Sequence, residues 1–108
     1  MSLTLRDAQH LCWKNFKKIH DKLDPEAGDK WTPLTIVADM LEQAGEVAAA
    51  IKGLDRFKPS EKPKTKEMLA TQLSDLLYTI FILAEHYEIE LEEAFMQTVN
   101  DRIISSLH

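Results

Sequence analysis

The amino-acid sequence predicts an all-α protein whose four helices pack as a bundle around one core. Apolar residues recur at helical spacing along most of the chain, and no stretch sustains the alternation that is typical of a strand. Glycine and proline are scarce, with 3 and 4 residues, and most of them fall between the periodic stretches. A chain of 108 residues supplies one modest hydrophobic core, so residues 1–108 are expected to form a single domain.

The first helix is predicted from about Thr4 to Leu23. Its apolar stripe consists of Leu5, Ala8, Cys12, Phe16, Ile19 and Leu23. The segment 24–28, which reads Asp-Pro-Glu-Ala-Gly, is expected to break the helix because it combines a proline with a glycine.

The second helix is predicted to start at a strong N-terminal signal. Thr32 is a favourable N-cap, and Pro33 suits the first helical position because its missing N–H has no partner there. The helix is expected to run to Lys52 and to be closed by Gly53.

Two further helices are predicted in the second half of the chain. Residues 53–65 contain two prolines and several basic residues, so we expect a loop there. The third helix is predicted at about residues 65–87. A short break at 88–90 then leads to the fourth, at about 91–107.

The composition excludes several classes of partner and location. The chain has 18 acidic residues against 13 Lys and Arg, and its net charge is −5. This acidic balance does not favour binding to the phosphate backbone of a nucleic-acid polymer. A single cysteine forms no internal disulfide, which favours the cytoplasm. Residues 1–20 lack the apolar core of a signal, and the run at 76–84 is far shorter than the roughly 20 residues that span a bilayer. We therefore expect a cytoplasmic protein with no membrane partner.

The second and third helices lack basic residues almost entirely. Between positions 33 and 51 and between positions 68 and 84, the charged residues are Asp39, Glu42, Glu46 and Asp75. A solvated helix face normally mixes both signs, because Glu–Lys pairs one turn apart are favourable and like-charged pairs are not. Glu42 and Glu46 are such a like-charged pair, which indicates that these acids have a specific role.

The helical wheel separates these acids from broad apolar stripes. The expected stripes are Val37, Met40, Leu41, Ala44, Val47, Ala48 and Ile51 in the second helix, and Leu69, Leu73, Leu76, Leu77, Ile80 and Ala84 in the third. Because both helices are apolar almost all round, we expect the acids to face another helix or subunit. We also expect a homodimer or higher oligomer, such as a tetramer.

Carboxylates in such a place must be protonated, paired or bound to a metal. Several hard oxygen ligands without thiolates or histidines suit Mg²⁺, with Mn²⁺ as the alternative. The simpler interpretation is that the acids face solvent and that Asp75 pairs with Lys52, Arg102 or a lysine of the first helix.

Four segments, in order along the chain, resemble the MazG-like nucleoside triphosphate pyrophosphohydrolases. Residues 41–47 (Leu-Glu-Gln-Ala-Gly-Glu-Val) resemble the E-E-x-G-E-L signature, and residues 72–77 (Gln-Leu-Ser-Asp-Leu-Leu) resemble the E-x-x-D helix. Residues 89–94 (Ile-Glu-Leu-Glu-Glu-Ala) are similar to the family's I-D-L-E-E-A, and residues 100–102 (Asn-Asp-Arg) to its N-x-R. The resemblance covers about residues 31–102.

The resemblance implies an all-α, usually dimeric enzyme that cleaves nucleoside triphosphates between the α and β phosphates to a monophosphate and pyrophosphate. Glu42, Glu46 and Asp75 would be the catalytic metal ligands that hold Mg²⁺. Asn100 and Arg102 would contact phosphate or ribose, and Lys52 is the further basic residue that we assign to the substrate.

The sequence departs from the family pattern at two expected carboxylates. Gln43 replaces the second Glu of the signature, and Gln72 replaces the Glu of E-x-x-D. A glutamine carbonyl oxygen can ligate a hard cation, but it adds no charge and is not a general base. Both are therefore second-rank metal ligands, and Glu42 is the candidate base unless metal-bound hydroxide suffices. The alternatives are a degenerate member that binds nucleotide or metal without efficient hydrolysis, and a structural helical interaction module.

A basic stretch and two aromatic residues are further candidates for binding nucleotide. The basic stretch 56–66 is able to fold over a triphosphate, although a solvated linker is the commoner interpretation. Trp31 and Phe57 are able to stack on a base, although aromatic residues at helix boundaries more often pack on the core.

Overall fold

A computed structural model of the chain describes residues 2–23, 31–55 and 65–107. These residues contain four helices and no strand: α1 (Leu5–Leu23), α2 (Pro33–Leu54), α3 (Lys66–His86) and α4 (Leu91–Ser106). The predicted all-α class and the order of the four helices are confirmed. The predicted break at 24–28 and most of the loop at 53–65 lie outside the described residues.

The predicted N-terminal signals act as local caps. The Thr32 hydroxyl accepts a hydrogen bond from the backbone N–H of Thr35 (3.3 Å), and Pro33 is the first residue of α2. Thr65 caps α3 in the same way through the backbone N–H of Met68 (3.2 Å). Each cap satisfies one of the free N–H groups of a helix start, which fixes where the helix begins.

The predicted end of α2, at Lys52, is wrong because the helix is longer. Gly53 lies inside the helix, which continues to Leu54. The backbone N–H of Asp55 donates to the carbonyl oxygen of Ile51 (2.9 Å), and Asp55 has a φ of −86°. Because this last turn closes without a left-handed residue, no terminal glycine is required.

The connection between α3 and α4 is fixed by a buried side chain of α1. Gln9 is 1% exposed. Its Nε2 donates to the carbonyl oxygen of Ile89 (2.7 Å) and to Glu85 (3.2 Å), and its Oε1 accepts from the N–H of Leu91 (3.1 Å). Glu88, in the same turn, adopts a positive φ of 55°. The amide of Gln9 therefore satisfies backbone groups that the turn leaves free.

Helix α3 is the centre of the fold. It packs against α2 and α1, whereas α4 packs chiefly on α1 and has no buried residue. The buried apolar residues are Ile36, Ala50, Phe81, Ile82 and Ala84. Since α4 packs chiefly on α1, the four helices do not enclose one common core in the described part of the chain.

Part of the predicted apolar stripe on α2 and α3 is exposed in the single chain. The predicted core residues that lie exposed are Leu41, Ala44, Ala48 and Ile51 on α2 and Leu73 and Leu77 on α3. Leu41 is 71% exposed. The side of α2 that turns towards the core carries Ile36, Gln43 and Ala50, which are spaced by two helical turns. Because α2 is apolar on two sides, the wheel alone does not show which side faces the core of the single chain.

By length and composition alone, α3 is apolar enough to cross a membrane, with a mean hydropathy of 1.2 over its most apolar window. Its contacts with both α1 and α2 are those of the central helix of a helical domain, so its apolar character alone is weak evidence for a membrane span.

Candidate functional site

The three predicted catalytic acids lie on the two helices that pack most closely. Glu42 and Glu46 are on α2 and Asp75 is on α3, and all three are exposed in the single chain. Among residues 2–23, 31–55 and 65–107, no group of three or more His, Cys, Asp or Glu side chains is close enough to hold a metal ion. The metal assignment of these acids stays a prediction.

The two glutamines that replace expected carboxylates are more deeply placed than the acids. Gln43 and Gln72 are partly buried, and the Oε1 atom of each is buried without a hydrogen-bond partner in the described part of the chain. Gln43 lies two helical turns after buried Ile36 and two turns before buried Ala50. Gln72 lies two turns before buried Thr79. Both oxygens therefore belong to the side of their helix that faces the core.

Each of these glutamines is followed by a predicted ligand one helical turn later. Glu46 follows Gln43 on α2, and Asp75 follows Gln72 on α3. Residues three positions apart lie on the same side of a helix. Each helix thus has a buried amide oxygen one turn before an exposed carboxylate. A buried carbonyl oxygen without a partner lowers stability unless a hydrogen-bond donor or a cation reaches it.

A cavity of about 270 Å³ lies between α1, α2 and α3. Its lining residues are Phe16, Ile19, His20, Trp31, Ile36, Asp39, Gln43, Tyr78, Thr79 and Ile82. The ring centroids of Phe16 and His20 are 4.3 Å apart, those of His20 and Trp31 are 4.7 Å apart, and Trp31 meets Phe16 edge-on at 5.7 Å. Three aromatic rings therefore form one wall of the cavity.

The polar groups of the cavity include acceptors and also donors, such as the ring N–H of Trp31 and the amide N–H groups of Gln43. The Tyr78 hydroxyl donates to a backbone carbonyl of α1 (3.4 Å), and the Thr79 hydroxyl donates to a backbone carbonyl one turn earlier on α3 (3.1 Å). Both hydroxyl protons are thereby committed, and the Tyr78 oxygen also accepts a hydrogen bond from the side-chain amide of Asn15 (3.3 Å). Asp39 adds a carboxylate and Gln43 adds its unpartnered Oε1.

The residues predicted to bind substrate from the last helix are exposed. Asn100 and Arg102 lie on α4, and Lys52 lies in the last turn of α2. Two positions apart on a helix, Asn100 and Arg102 project in nearly opposite directions. They therefore cannot both contact one phosphate on one side of α4. Nothing in the single chain tests their predicted roles.

A second polar cluster joins α1 to the start of α4. Arg6 donates to Glu90 (2.8 Å), and the two ring nitrogens of His10 lie 2.7 Å from Glu85 and 3.2 Å from Glu90. The hydrogen bond from Arg6 lowers the pKa of Glu90, and the same bond raises the pKa of Arg6. These contacts hold α4 against α1, and the sequence analysis did not anticipate them.

The sequence analysis found only part of the cavity. Trp31 was noted as a candidate for stacking, whereas Phe57 and most of the basic stretch 56–66 lie outside the described residues. Phe16 was expected in the core, and His20 had no assigned role. Their spacing of one helical turn, which places both rings on one side of α1, was the available signal.

Comparison with known proteins agrees with this architecture. Residues 31–104 match the MazG nucleotide pyrophosphohydrolase domain. The chain is 27% identical over 85 residues to the uncharacterized protein YpjD of Bacillus subtilis (strain 168), covering 75% of this chain and 77% of that protein. It is 33% identical over 72 residues to the uncharacterized protein YvdC of the same organism, covering 58% and 68%. No solved structure matches the chain.

The described residues form an all-α domain of four helices, and residues 31–104 match a nucleotide pyrophosphohydrolase domain. Because the match covers more than half of the chain, the protein belongs to the MazG nucleotide pyrophosphohydrolase family.

Proposed function

We propose that this protein is a nucleoside triphosphate pyrophosphohydrolase that requires Mg²⁺ or Mn²⁺ and releases a nucleoside monophosphate and pyrophosphate. The observation that carries the proposal is the pair of buried, unpartnered Oε1 atoms of Gln43 and Gln72. Each oxygen lies one turn before a carboxylate, within the residues that match the family. Neither oxygen has a hydrogen-bond partner among the described residues, and a hard cation would satisfy both.

The donor set fits Mg²⁺ because every candidate ligand is an oxygen. Glu46 and Asp75 would hold the ion through carboxylates, and Gln43 and Gln72 would add neutral carbonyl oxygens. When bound, the ion polarises phosphoryl oxygens and lowers the pKa of its water. With two carboxylates replaced by amides, we expect weaker metal affinity and no obligatory second metal.

The remaining predicted residues would position the substrate and move a proton. Glu42 is exposed on α2 one turn before Glu46, and its carboxylate would accept the proton of the attacking water. The Arg102 guanidinium would bind phosphate oxygens in a bidentate manner, and Lys52 would add a point charge. Asn100 would contact phosphate or ribose.

A homodimer is the minimum assembly that we propose, with a tetramer as the larger possibility. Large apolar residues are exposed on the helices that carry the acids and on α4, namely Leu41, Leu73, Leu77, Phe95, Met96, Ile103 and Ile104. A second subunit would remove this surface from water.

The deciding experiment measures pyrophosphate release from a panel of nucleoside and deoxynucleoside triphosphates, with Mg²⁺, with Mn²⁺ and with chelator. We expect metal-dependent release from the wild-type protein and its loss in Glu46→Ala, with unchanged helicity. Glu67→Ala removes an exposed acid from the first turn of α3 and should retain activity. Activity that survives Glu46→Ala would exclude the proposed ligand set.

The second candidate is a degenerate member that binds metal or nucleotide without efficient hydrolysis. The neutral amides at Gln43 and Gln72 favour it specifically, because they remove two charges from the expected ligand set. If this candidate is right, the wild-type protein releases no pyrophosphate, and the double variant Gln43→Glu/Gln72→Glu gains activity. A purely structural module would show neither activity nor a response of thermal stability to Mg²⁺.

A further inference from the structure

We propose that His10 is a proton-dependent latch that holds the start of α4 against α1 and the end of α3. The doubly protonated ring bridges Glu85 of α3 and Glu90 at the N-cap of α4, and it loses one of these two attractions when it loses a proton. The latch is independent of the proposed function, since it joins α1, α3 and α4 and is measured without nucleotide.

Each ring nitrogen of His10 lies beside a carboxylate oxygen. Nδ1 is 2.7 Å from Oε1 of Glu85, which is an ion-pair distance, and Nε2 is 3.2 Å from Oε1 of Glu90, with the geometry of a hydrogen bond. An ionised carboxylate has acceptors only, whereas a neutral imidazole has one N–H and one nitrogen with a lone pair. Both contacts are therefore attractive only when the ring is an imidazolium, in which both nitrogens carry a proton.

The Glu85 carboxylate depends on His10 for its counter-charge. Its side chain is 13% exposed, and its Oε1 also accepts a hydrogen bond from the neutral amide of Gln9 (3.2 Å). Among the described residues, His10 is the only basic group within ion-pair distance of Glu85. Because a largely buried carboxylate is costly without a partner, loss of the charge on His10 leaves Glu85 with the amide of Gln9 alone.

The other charged groups around the ring are mostly acidic, which favours its charged form. The pKa of Glu90 is lowered, chiefly by the hydrogen bond from Arg6 and further by that from His10. The nearby histidine of α3, His86, packs on Trp13 instead. Among the described residues, the charged groups near the ring are Glu85 of α3, Glu88 and Glu90 of the turn, Glu92 and Glu93 of α4, and Arg6, Asp7 and Lys14 of α1.

Helix α4 is sensitive to this latch because few other contacts hold it. It has no buried residue and packs chiefly on α1. Its N-cap residue, Glu90, makes no side-chain hydrogen bond to the helix backbone, so its carboxylate is available to Arg6 and His10. The charge of a histidine changes between pH of about 5 and about 8. The latch therefore stabilises the docked α4 at the low end of this range and weakens as the pH rises.

The test is a double-mutant cycle of His10→Gln and Glu90→Gln, measured by amide hydrogen exchange of residues 94–98 at pH of about 5.5 and about 8. Protection is expressed relative to the intrinsic exchange rate at each pH, so it reports how often the start of α4 opens. At the lower pH we expect the pair to be coupled by about threefold in protection, the size of a partly exposed ion pair. At the higher pH the coupling should fall towards zero. Equal coupling at both pH values, or none at the lower one, would overturn the proposal.

Two further variants separate the latch from general electrostatics. Lys14→Gln is the matched control, because it removes a positive charge from an exposed position one turn further along α1, and its cycle with Glu90→Gln should show no coupling. His10→Arg carries a charge over the whole pH range, so its α4 should keep its protection as the pH rises while that of the wild-type protein falls. A fall in His10→Arg equal to that in the wild-type protein, or a coupling of Lys14 as strong as that of His10, would exclude the latch.

Discussion

Replacement of Gln9 by alanine should weaken the junction of α1, α3 and α4 by a measurable amount. The buried amide makes three hydrogen bonds, two as donor to Ile89 and Glu85 and one as acceptor from Leu91. An intramolecular hydrogen bond contributes about 1 kcal/mol net, so the loss should be about 3 kcal/mol. That is a large share of the roughly 5–15 kcal/mol by which domains are stable.

The assay is urea denaturation followed by far-UV circular dichroism at one fixed protein concentration, because assembly would otherwise shift the apparent stability. Gln97→Ala is the matched control, since Gln97 is exposed and makes one hydrogen bond, to Asp101 (3.0 Å). We expect its free energy of unfolding to fall by less than about 0.5 kcal/mol. Equal losses for the two variants would show that Gln9 does not hold the junction.

Three further predictions concern the metal, the assembly and the pH dependence of stability. In Gln43→Glu/Gln72→Glu, Mg²⁺ should raise the melting temperature more than it does in the wild-type protein, because two charges join the ligand set; an equal shift in differential scanning fluorimetry would contradict this. Leu41→Glu should convert the dimer to monomer in sedimentation velocity, because it places a charge on an exposed apolar face; an unchanged dimer would exclude this surface. The hydrogen bond from Arg6 lowers the pKa of Glu90, so its stabilisation is present above the ordinary pKa of a glutamate and is lost as the pH falls through the lowered value. Arg6→Met should therefore reduce the loss of stability on acidification from pH of about 5 to about 3, measured by urea midpoints, and equal losses in both proteins would refute this.

The positions of the helices could be predicted because their signals are local. Thr32 and Thr65 cap the helices that follow them, and the periodicity between these caps and the breaks sets the element type. The end of α2 was displaced because Asp55 closes the last turn without help from Gly53. The motifs that carry the acids are also short stretches of sequence, and their order along the chain indicated the MazG family that residues 31–104 match.

The face that each helix turns to its neighbours could not be predicted in the same way. Helix α2 is apolar on two sides, so the wheel alone did not show that the side with Ile36 and Gln43 turns towards the core.

The sequence by itself determined the four helices, their caps and the family, because these depend on residues that are neighbours along the chain. Only the tertiary structure decided that Gln9 would bind the α3–α4 turn and that Phe16 and His20 would meet Trp31 around a cavity. These groups are joined by packing between helices. That packing depends on the shapes of all the contacting side chains at once, and no periodicity in the sequence records it.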